Sequence, residues 1–287
     1  MNELNLRNRV AIELELLSAE GADLHTDSPS ATINLFSPED SILRITDFAL
    51  QYLDLQAHVT RGGLAAVVTA GPPAVGKSTE LKEEGFDTSA WRNIDADLVK
   101  KLILRRAIAE GLYGEYLSWE LADGRSIRPL ELASLVHRES SAVVNNLTAT
   151  CLRLGENVVI QGTLAWSDQP DKILQALDSH GYDELTILNI EADVSTAIEQ
   201  SLQRWWRGRT NSSNELGGRF VPSGLISALY LPGGLTKCST NAQFMFEFAN
   251  LPRVRIVTTT TLDGSKTRHE RLKIEGDELP EVKVETR

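Results

Sequence analysis

Short apolar runs alternate with longer amphipathic segments through most of the chain. Most of the runs lack the polar positions of a half-exposed strand, so they predict strands buried on both faces of a parallel sheet. Between them, apolar residues recur every three or four positions, which predicts helices. This alternation is typical of an α/β fold with a mostly parallel sheet flanked by helices. The predicted strands cover residues 64–69, 91–95, 157–163, 185–190 and 253–258.

The first sixty residues predict a helical extension that precedes the sheet. Val10 and Leu14 share one helix face, and although Ile12 between them also fits a strand, the abundance of Glu and Leu favours a helix. A second helix is expected to begin at Pro38, because Ser37 is a favoured N-cap and acidic residues follow it.

Two predicted helices and one loop in the second half bear on the candidate chemistry. One long helix is expected over residues 129–154, and another begins after the cap residue Asp193. The segment at 208–223 is polar and contains glycine, which is the composition of a mobile lid.

A nucleotide-binding motif directly follows the first predicted strand. Residues 71–78 fit G-x-x-x-x-G-K-[ST], the phosphate-binding loop. Glycine lets the backbone approach phosphate oxygens, the lysine reaches the β- and γ-phosphates, and the serine hydroxyl binds Mg²⁺. The motif therefore predicts a site for ATP and Mg²⁺, with Lys77 as a catalytic residue and Ser78 as the metal ligand. The predicted nucleotide-binding residues are Gly71, Pro72, Pro73, Ala74, Val75, Gly76, Lys77, Ser78 and Thr79.

Polar residues at the ends of two other strands are candidates for phosphoryl transfer. Ligands of open parallel sheets bind beyond the carboxyl ends of strands, where Asp95 and Asp97 are predicted to lie. We favour Asp97 as general base and substrate ligand, with helix capping as the alternative. Gln161 stands where a carboxylate usually organises Mg²⁺, and Thr163 offers a hydroxyl to a substrate.

Further charged candidates lie on the predicted helices and the lid. Glu139 flanks an apolar helix face, so its carboxylate requires either a substrate group or an ion pair with Arg138 or a nearby lysine. Arg204 and Arg219 belong to an arginine cluster, which in an acidic protein is suited to substrate phosphates.

Composition narrows the class of protein. The chain has 287 residues and a net charge of −11, which disfavours binding to nucleic acid. No apolar run is long enough to cross a membrane, and the N-terminus does not fit a signal peptide. The 2 cysteines and 5 histidines form neither a disulfide framework nor a metal pattern. We therefore expect a cytoplasmic enzyme with no membrane or nucleic-acid partner.

Taken together, these motifs resemble the zeta-toxin family of P-loop kinases. The resemblance rests on the order of the phosphate loop, residues 94–97, residues 157–163, a helix that contains Arg204, and residues 217–222. We accordingly divide the chain into an N-terminal helical extension, a P-loop kinase domain and a charged C-terminal tail. The expected boundaries are 1–60, 61–260 and 261–287.

The resemblance implies an activity and roles for individual residues. Zeta toxins use ATP to phosphorylate the 3′-hydroxyl of the amino sugar of UDP-N-acetylglucosamine, which inhibits peptidoglycan synthesis. By resemblance, Asp97 is the catalytic base, Thr163 binds substrate, and Arg204 and Arg219 surround the phosphates. The family also implies a small helical antitoxin as partner, and the N-terminal extension is placed to act as such an inhibitor in cis.

Two departures from the family pattern keep other functions open. Gln161 replaces a carboxylate, and the substrate-side glutamate of the family corresponds to Asn145 without gaps or to Glu139 after a shift. One alternative is a P-loop kinase for another small acceptor, such as a nucleoside, a dinucleotide or a sugar. The other is a catalytically weak nucleotide-binding regulator.

Overall fold

Seven strands form a single sheet within the described part of the chain. The computed structural model describes residues 3–86, 89–262, 265–276 and 281–286. In chain order the strands are β1 (Ala65–Ala70), β2 (Arg92–Asp95), β3 (Val158–Gln161), β4 (Glu184–Ala192), β5 (Arg253–Leu262), β6 (Ser265–Ile274) and β7 (Glu281–Thr286).

The strand order across the sheet is β2-β3-β1-β4-β5-β6-β7. The strands from β2 to β5 in this order run parallel, and β6 and β7 extend the sheet with antiparallel pairing. Every residue of β1 is buried, as the unbroken apolar run predicted. The expected α/β fold with a mostly parallel sheet is therefore confirmed, and the loops after the parallel strands emerge at one edge.

Helices occupy most of the remaining sequence. The predicted helix near the N-terminus is confirmed, and so is the helix that begins at Pro38, where the Asp40 amide donates to the Ser37 hydroxyl at 3.1 Å. The helices are α1 (Glu3–Leu17), α2 (Thr32–Leu35), α3 (Pro38–Asp54), α4 (Lys77–Glu83), α5 (Ala96–Ala109), α6 (His137–Arg153), α7 (Gln169–Ser179), α8 (Val194–Thr210), α9 (Ser223–Ser227) and α10 (Lys237–Phe248).

The long helix expected over residues 129–154 is interrupted. A 3₁₀ turn covers Pro129–Leu132, and α6 begins only at His137. The carbonyl of Leu135, just before α6, accepts a hydrogen bond from the amide of Thr32 at 2.9 Å. A tertiary contact with a segment about a hundred residues earlier thus takes part in the break, and apolar spacing does not reveal such a contact.

The C-terminal segment differs from the expected charged tail. Instead of ending at a fifth strand, the chain continues into β6 and β7. The charges of β6 take part in ion pairs, because Lys266 contacts Glu83 at 2.7 Å and Arg268 contacts Glu84 at 2.7 Å, both on or beside α4. The charged side chains of this extended segment therefore mark a strand whose cations pair with acidic residues on or beside a helix, rather than a solvated terminus.

The chain divides into two compact units that cut across the expected domain boundaries. The first unit combines Met1–Leu53, Ala96–Asn146 and Glu199–Leu225. The second unit combines Asp54–Asp95, Leu147–Ile198 and Ile226–Arg287 and holds the sheet. The N-terminal helices are thus part of a larger helical unit and not a separate extension.

In the second unit, helices cover both faces of the sheet. Val67, Leu188 and Val257 of neighbouring strands pack with Leu81 of α4 in one buried cluster. Asn189 follows Leu188 and therefore points to the opposite face, where its amide donates to the Ser239 hydroxyl of α10 at 2.9 Å.

In the first unit, α1 is joined to distant segments by side-chain bonds. Arg7 contacts Glu199 of α8 at 2.8 Å. The carboxylate of Glu15 accepts from both the amide and the hydroxyl of Ser223, at 2.6 and 2.7 Å. Val10 is fully buried, so apolar packing accompanies these polar contacts. These bonds make α1 an integral part of the first unit.

A buried arginine holds α8 against the loop that follows α5. The side chain of Arg209 is fully buried and contacts Asp123 and Glu131 at 2.6 Å each. Glu131 also accepts a hydrogen bond from the indole nitrogen of Trp205 at 2.7 Å. Two buried carboxylates are therefore balanced largely by one guanidinium, a geometry that is costly to break from one side only.

We predict that Arg209→Met lowers the free energy of unfolding by about 3–5 kcal/mol, because two buried carboxylates lose their counter-ion. Arg125→Met is the matched control, since Arg125 contacts the same Asp123 at 3.0 Å but is half-exposed. Its loss should cost at most about 1 kcal/mol. Urea unfolding followed by circular dichroism measures both variants, and equal losses would contradict the assigned role of Arg209.

Candidate active site

The phosphate loop leaves β1 and enters α4 in a conformation that requires its glycines. Gly71 and Gly76 have φ values of +133° and +102°, which favour glycine strongly. A Cβ on Gly71 would lie 2.2 Å from the carbonyl oxygen of Ile190, so the loop also begins in close contact with β4. Such a loop presents its backbone amides as a concave site for an anion.

Some side chains of the loop are bonded or packed against the protein, and others are exposed to solvent. Lys77 donates to the carbonyl oxygens of Gly71 and Pro72 at 2.8 and 2.6 Å, which folds its ammonium group over the loop. Val75 packs against the buried cluster of the sheet. Ser78 is exposed at the start of α4, where its hydroxyl is accessible to a ligand.

Thr163 lies beside the phosphate loop. The amide of Gly71 donates to the carbonyl oxygen of Thr163 at 3.0 Å. Two residues before Gly71 and one before Thr163, the Thr69 hydroxyl exchanges hydrogen bonds with the backbone of Gly162 at 3.0 and 3.2 Å. The ends of β1 and β3 are therefore cross-linked, and the structure brings Thr163 and the loop together within the second unit.

The side chain of Gln161 is bonded within the sheet. Its amide nitrogen donates to the side-chain oxygen of Asn93 at 2.6 Å, and its backbone pairs in register with Asp95. A carboxylate at position 161 has no proton to donate to that oxygen. The neutral residue and its asparagine partner are thus complementary.

Asp97 lies in the first turn of α5 and is surrounded by cations of the first unit. Its carboxylate contacts Arg219 at 2.5 Å, Lys100 at 3.5 Å and Arg204 at 3.8 Å. Arg204 is 49% exposed and Arg219 25% exposed, so both guanidinium groups also reach solvent. The structure thus brings together the predicted base and the two predicted phosphate-binding arginines.

The charges of this cluster determine which of its groups ionise. Burial opposes ionisation of Asp97, but Arg219, Lys100 and Arg204 outweigh it and hold the pKa of the carboxyl well below its usual range. Burial, followed by the charges of Lys100 and Arg219, lowers the pKa of His137 to about 4. At neutral pH the cluster therefore consists of a carboxylate, its cations and a neutral imidazole.

The segment that carries Arg219 is packed closely against α8, which differs from the expected mobile lid. A Cβ on Gly218 would lie 2.0 Å from the carbonyl oxygen of Trp205. Backbone bonds fix the same segment, since the amide of Leu130 donates to the carbonyl oxygen of Leu216 at 2.9 Å. Glycine here permits a close crossing of two backbones, a role that composition does not distinguish from loop mobility.

Glu139 is paired with a residue that sequence spacing did not indicate. It is buried on α6, and its carboxylate contacts Arg44 of α3 at 3.1 Å. Arg138, the partner considered from the sequence, contacts Asp27 instead. An ion pair therefore satisfies part of this carboxylate, and its assignment as a substrate ligand stays a prediction.

Lys100 and His137 are candidate site residues that the sequence analysis did not single out for chemistry. Lys100 lies three residues after Asp97 on the same helix, a spacing that places the two side chains together. This spacing can be seen in the sequence. His137 gave no comparable signal, because its position depends on the interruption before α6.

The described residues contain neither a cluster of metal-ligating side chains nor a membrane-spanning helix. Across residues 3–86, 89–262, 265–276 and 281–286, no group of three or more His, Cys, Asp or Glu side chains is arranged to hold a metal ion. Over the same residues, no helix has both the length and the apolar character needed to cross a membrane.

Comparison with solved structures relates this fold to two known systems. A chain from the crystal structure of AvrRxo1-ORF1:-ORF2 with ATP is 15% identical, with a TM-score of 0.51 over 85% of this chain and 72% of that one. The same complex with sulphate ions gives 17% identity, a TM-score of 0.50, and coverage of 86% and 73%. A chain of the PezAT chromosomal toxin-antitoxin system of Streptococcus pneumoniae is 17% identical, with a TM-score of 0.47 over 78% of each chain.

Sequence comparison identifies the family directly. No curated protein matches the chain in sequence. The model of the zeta-toxin family, however, matches residues 52–261, which include the phosphate loop, Asp97 and both arginines. Because this match covers well over half of the sequence, the chain belongs to the zeta-toxin family of P-loop kinases.

Proposed function

We propose that this protein is an ATP-dependent kinase that phosphorylates the 3′-hydroxyl of the amino sugar of UDP-N-acetylglucosamine and thereby inhibits peptidoglycan synthesis. The observation that carries the proposal is the contact of Asp97 with both Arg204 and Arg219, because a base and two phosphate-binding cations are the groups that phosphoryl transfer requires. Family membership supports the reaction type.

The phosphate loop is the proposed site of ATP. Its backbone amides bind the phosphates, and Lys77 exchanges its two carbonyl partners for phosphate oxygens. A structural neighbour crystallised with ATP supports this assignment. The exposed hydroxyl of Ser78 fits Mg²⁺, which often has few protein ligands and is completed by phosphates and water. Bound there, Mg²⁺ would neutralise charge on the phosphates.

Asp97 is the proposed general base. The acceptor hydroxyl loses its proton to the Asp97 carboxylate as its oxygen bonds to the γ-phosphorus. The bond between the γ-phosphorus and its bridging oxygen breaks, and ADP leaves with that electron pair. Arg204 and Arg219 stabilise the negative charge on the transferring group.

Because of its ion pairs, the basicity of Asp97 depends on whether phosphates are bound. Without phosphates, the two arginines neutralise Asp97, and a carboxylate with so low a pKa is a weak base. A triphosphate carries more charge than one carboxylate and competes for both guanidinium groups. When the two arginines pair with phosphate instead, the basicity of Asp97 rises. Lys100, which is nearly fully buried, remains to keep it ionised.

The proposed acceptor follows from the family and from three polar residues that the sequence singles out. Thr163, Gln161 and Glu139 are the proposed acceptor ligands, with Glu139 requiring release from Arg44. A different small acceptor, such as a nucleoside, a dinucleotide or another sugar, is the second candidate, because the Gln161–Asn93 pair departs from the family pattern. A catalytically weak regulator has less support, since the chain has Lys77, Asp97 and both arginines.

A helical antitoxin protein is the proposed partner. Two structural neighbours come from a toxin-antitoxin system and from a two-protein complex, which supports such a partner. Inhibition in cis by the N-terminal helices is less well supported. The bonds of α1 to Glu199 and Ser223 are those of a permanent part of the first unit.

We predict that the protein, given ATP, Mg²⁺ and a pool of nucleotide sugars, adds one phosphate to UDP-N-acetylglucosamine, as detected by mass spectrometry. Lys77→Ala should abolish the product without loss of fold, because the phosphates lose their main side-chain ligand. Phosphorylation of another compound only would replace the acceptor and keep the kinase. Full activity of a folded Lys77→Ala variant would contradict the phosphate-loop assignment.

We predict that Asp97→Asn keeps ATP binding and loses transfer to any acceptor, because the amide preserves size but does not accept the proton. Asp95→Asn is the matched control, two residues away at the end of β2. Titration with ATP and a product assay separate binding from transfer. An inactive Asp95→Asn beside an active Asp97→Asn would reverse the two roles, and two active variants would place the base elsewhere.

We predict that Arg219→Ala and Arg204→Ala each lower kcat by ~10³-fold or more, since arginines around a transferring phosphoryl group have effects of this size. Arg207→Ala, exposed on the same helix as Arg204, is the control and should change kcat little. Thermal unfolding should show similar stability for all three variants. Near-normal turnover of either site variant would identify that arginine as a partner of Asp97 only.

A further inference from the structure

One tryptophan of this protein, Trp166, is exposed, whereas the other four are buried or half-buried. Trp166 is 70% exposed, whereas Trp205 and Trp206 are 0% and 6% exposed and the other two tryptophans are half-buried. A single exposed aliphatic residue is ordinary on a protein surface, but an indole exposes far more apolar area. Its exposure therefore calls for a functional explanation.

The turn that presents Trp166 is built by specific bonds. The side-chain amide of Asn241 donates to the carbonyl oxygens of Leu164 and Trp166 at 2.8 and 3.1 Å. The amide of Gln169, at the start of α7, donates to the same Trp166 oxygen at 3.1 Å. Leu164 has a φ of +55°, which a branched side chain rarely adopts without surrounding support. The turn is thus held in one conformation, with the indole directed outward.

This turn adjoins the phosphate loop. Thr163, three residues before Trp166, accepts a hydrogen bond from the Gly71 amide at 3.0 Å. Three residues of chain span at most about 11 Å, so the backbone of Trp166 lies within that distance of Thr163. All of these residues belong to the second unit. The exposed indole is therefore close to the loop that binds phosphates in the proposed function.

We propose that Trp166 is a stacking platform for a nucleobase. A flat indole beside a phosphate site suits a ligand that joins a planar base to phosphates, and stacking on an aromatic side chain accepts any base. The proposal rests on the proposed function for the identity of the ligand as a nucleotide. Its base belongs either to the ATP or to a nucleotide acceptor.

The surroundings of Trp166 favour a small planar ligand over a protein partner. The next two residues, Ser167 and Asp168, are exposed and polar, so the indole does not continue into an apolar stretch of chain. Stable protein interfaces bury a larger surface with an apolar centre. A base requires only the face of one ring.

Calorimetric titration of the full-length chain tests the platform without relying on turnover. The probes are ATP with Mg²⁺, uridine 5′-monophosphate, and ribose 5-phosphate, which lacks a base. The variants are Trp166→Ala, Trp166→Phe and the control Leu235→Ala, which removes another exposed apolar side chain of the second unit. We expect Trp166→Ala to weaken the binding of a base-bearing probe roughly 5- to 100-fold, and Trp166→Phe to retain most of the affinity.

The pattern of losses assigns or rejects the platform. A loss for ATP alone identifies the donor base, and a loss for the uridine nucleotide identifies the acceptor base. The proposal is overturned if the alanine variant binds every probe like the wild type, or if no base-bearing probe binds the wild type. It is also overturned if Trp166→Ala weakens the binding of ribose 5-phosphate as much as that of the base-bearing probes. A failed kinase assay leaves these titrations unchanged, so the two proposals fail separately.

Discussion

The first unit depends on the neutralisation of two buried carboxylates by Arg209. This guanidinium lies between Asp123 and Glu131, and all three side chains are fully buried. Buried charges of this kind require all their partners at once, so they fix the chain segments that supply them. The same segments carry Arg204 on α8 and the backbone that holds Arg219. The ion network of Arg209 thus supports the segments that form the charge cluster around Asp97.

Under the proposed mechanism, the charge state of Asp97 in the free protein differs from the one in which it acts as a base. Its low pKa follows from Arg219, Lys100 and Arg204, and two of these cations are the ones that a phosphate would attract. Catalytic bases are more effective when their pKa lies nearer to the operating pH. In the mechanism that we propose, the same arginines restrain the base in the free protein and serve the transferring group in the complex.

Sequence predicted those features that depend on local pattern. The phosphate loop, the parallel strands and the capped start of α3 each have a short-range signature, and the structure contains all three. The interruption before α6 involves residues far apart in sequence, so periodicity gave the wrong result there. Composition likewise did not indicate the close packing around Gly218. The partner of Glu139 was missed for the same reason, because Arg44 lies on another helix. The roles of individual site residues remain predictions.

The connection of α1 to Ser223 has a consequence for synthesis of the protein on the ribosome. The first unit is assembled from three separated pieces, and its N-terminal helix has bonds that close only after residue 223 has been made. The second unit likewise requires β6, near the end of the chain, to complete the ion pairs of α4. Folding that depends on such distant contacts is slow and late. Nascent chains that have not yet reached residue 223 should therefore be inert, so that the proposed kinase activity appears only after that point in translation.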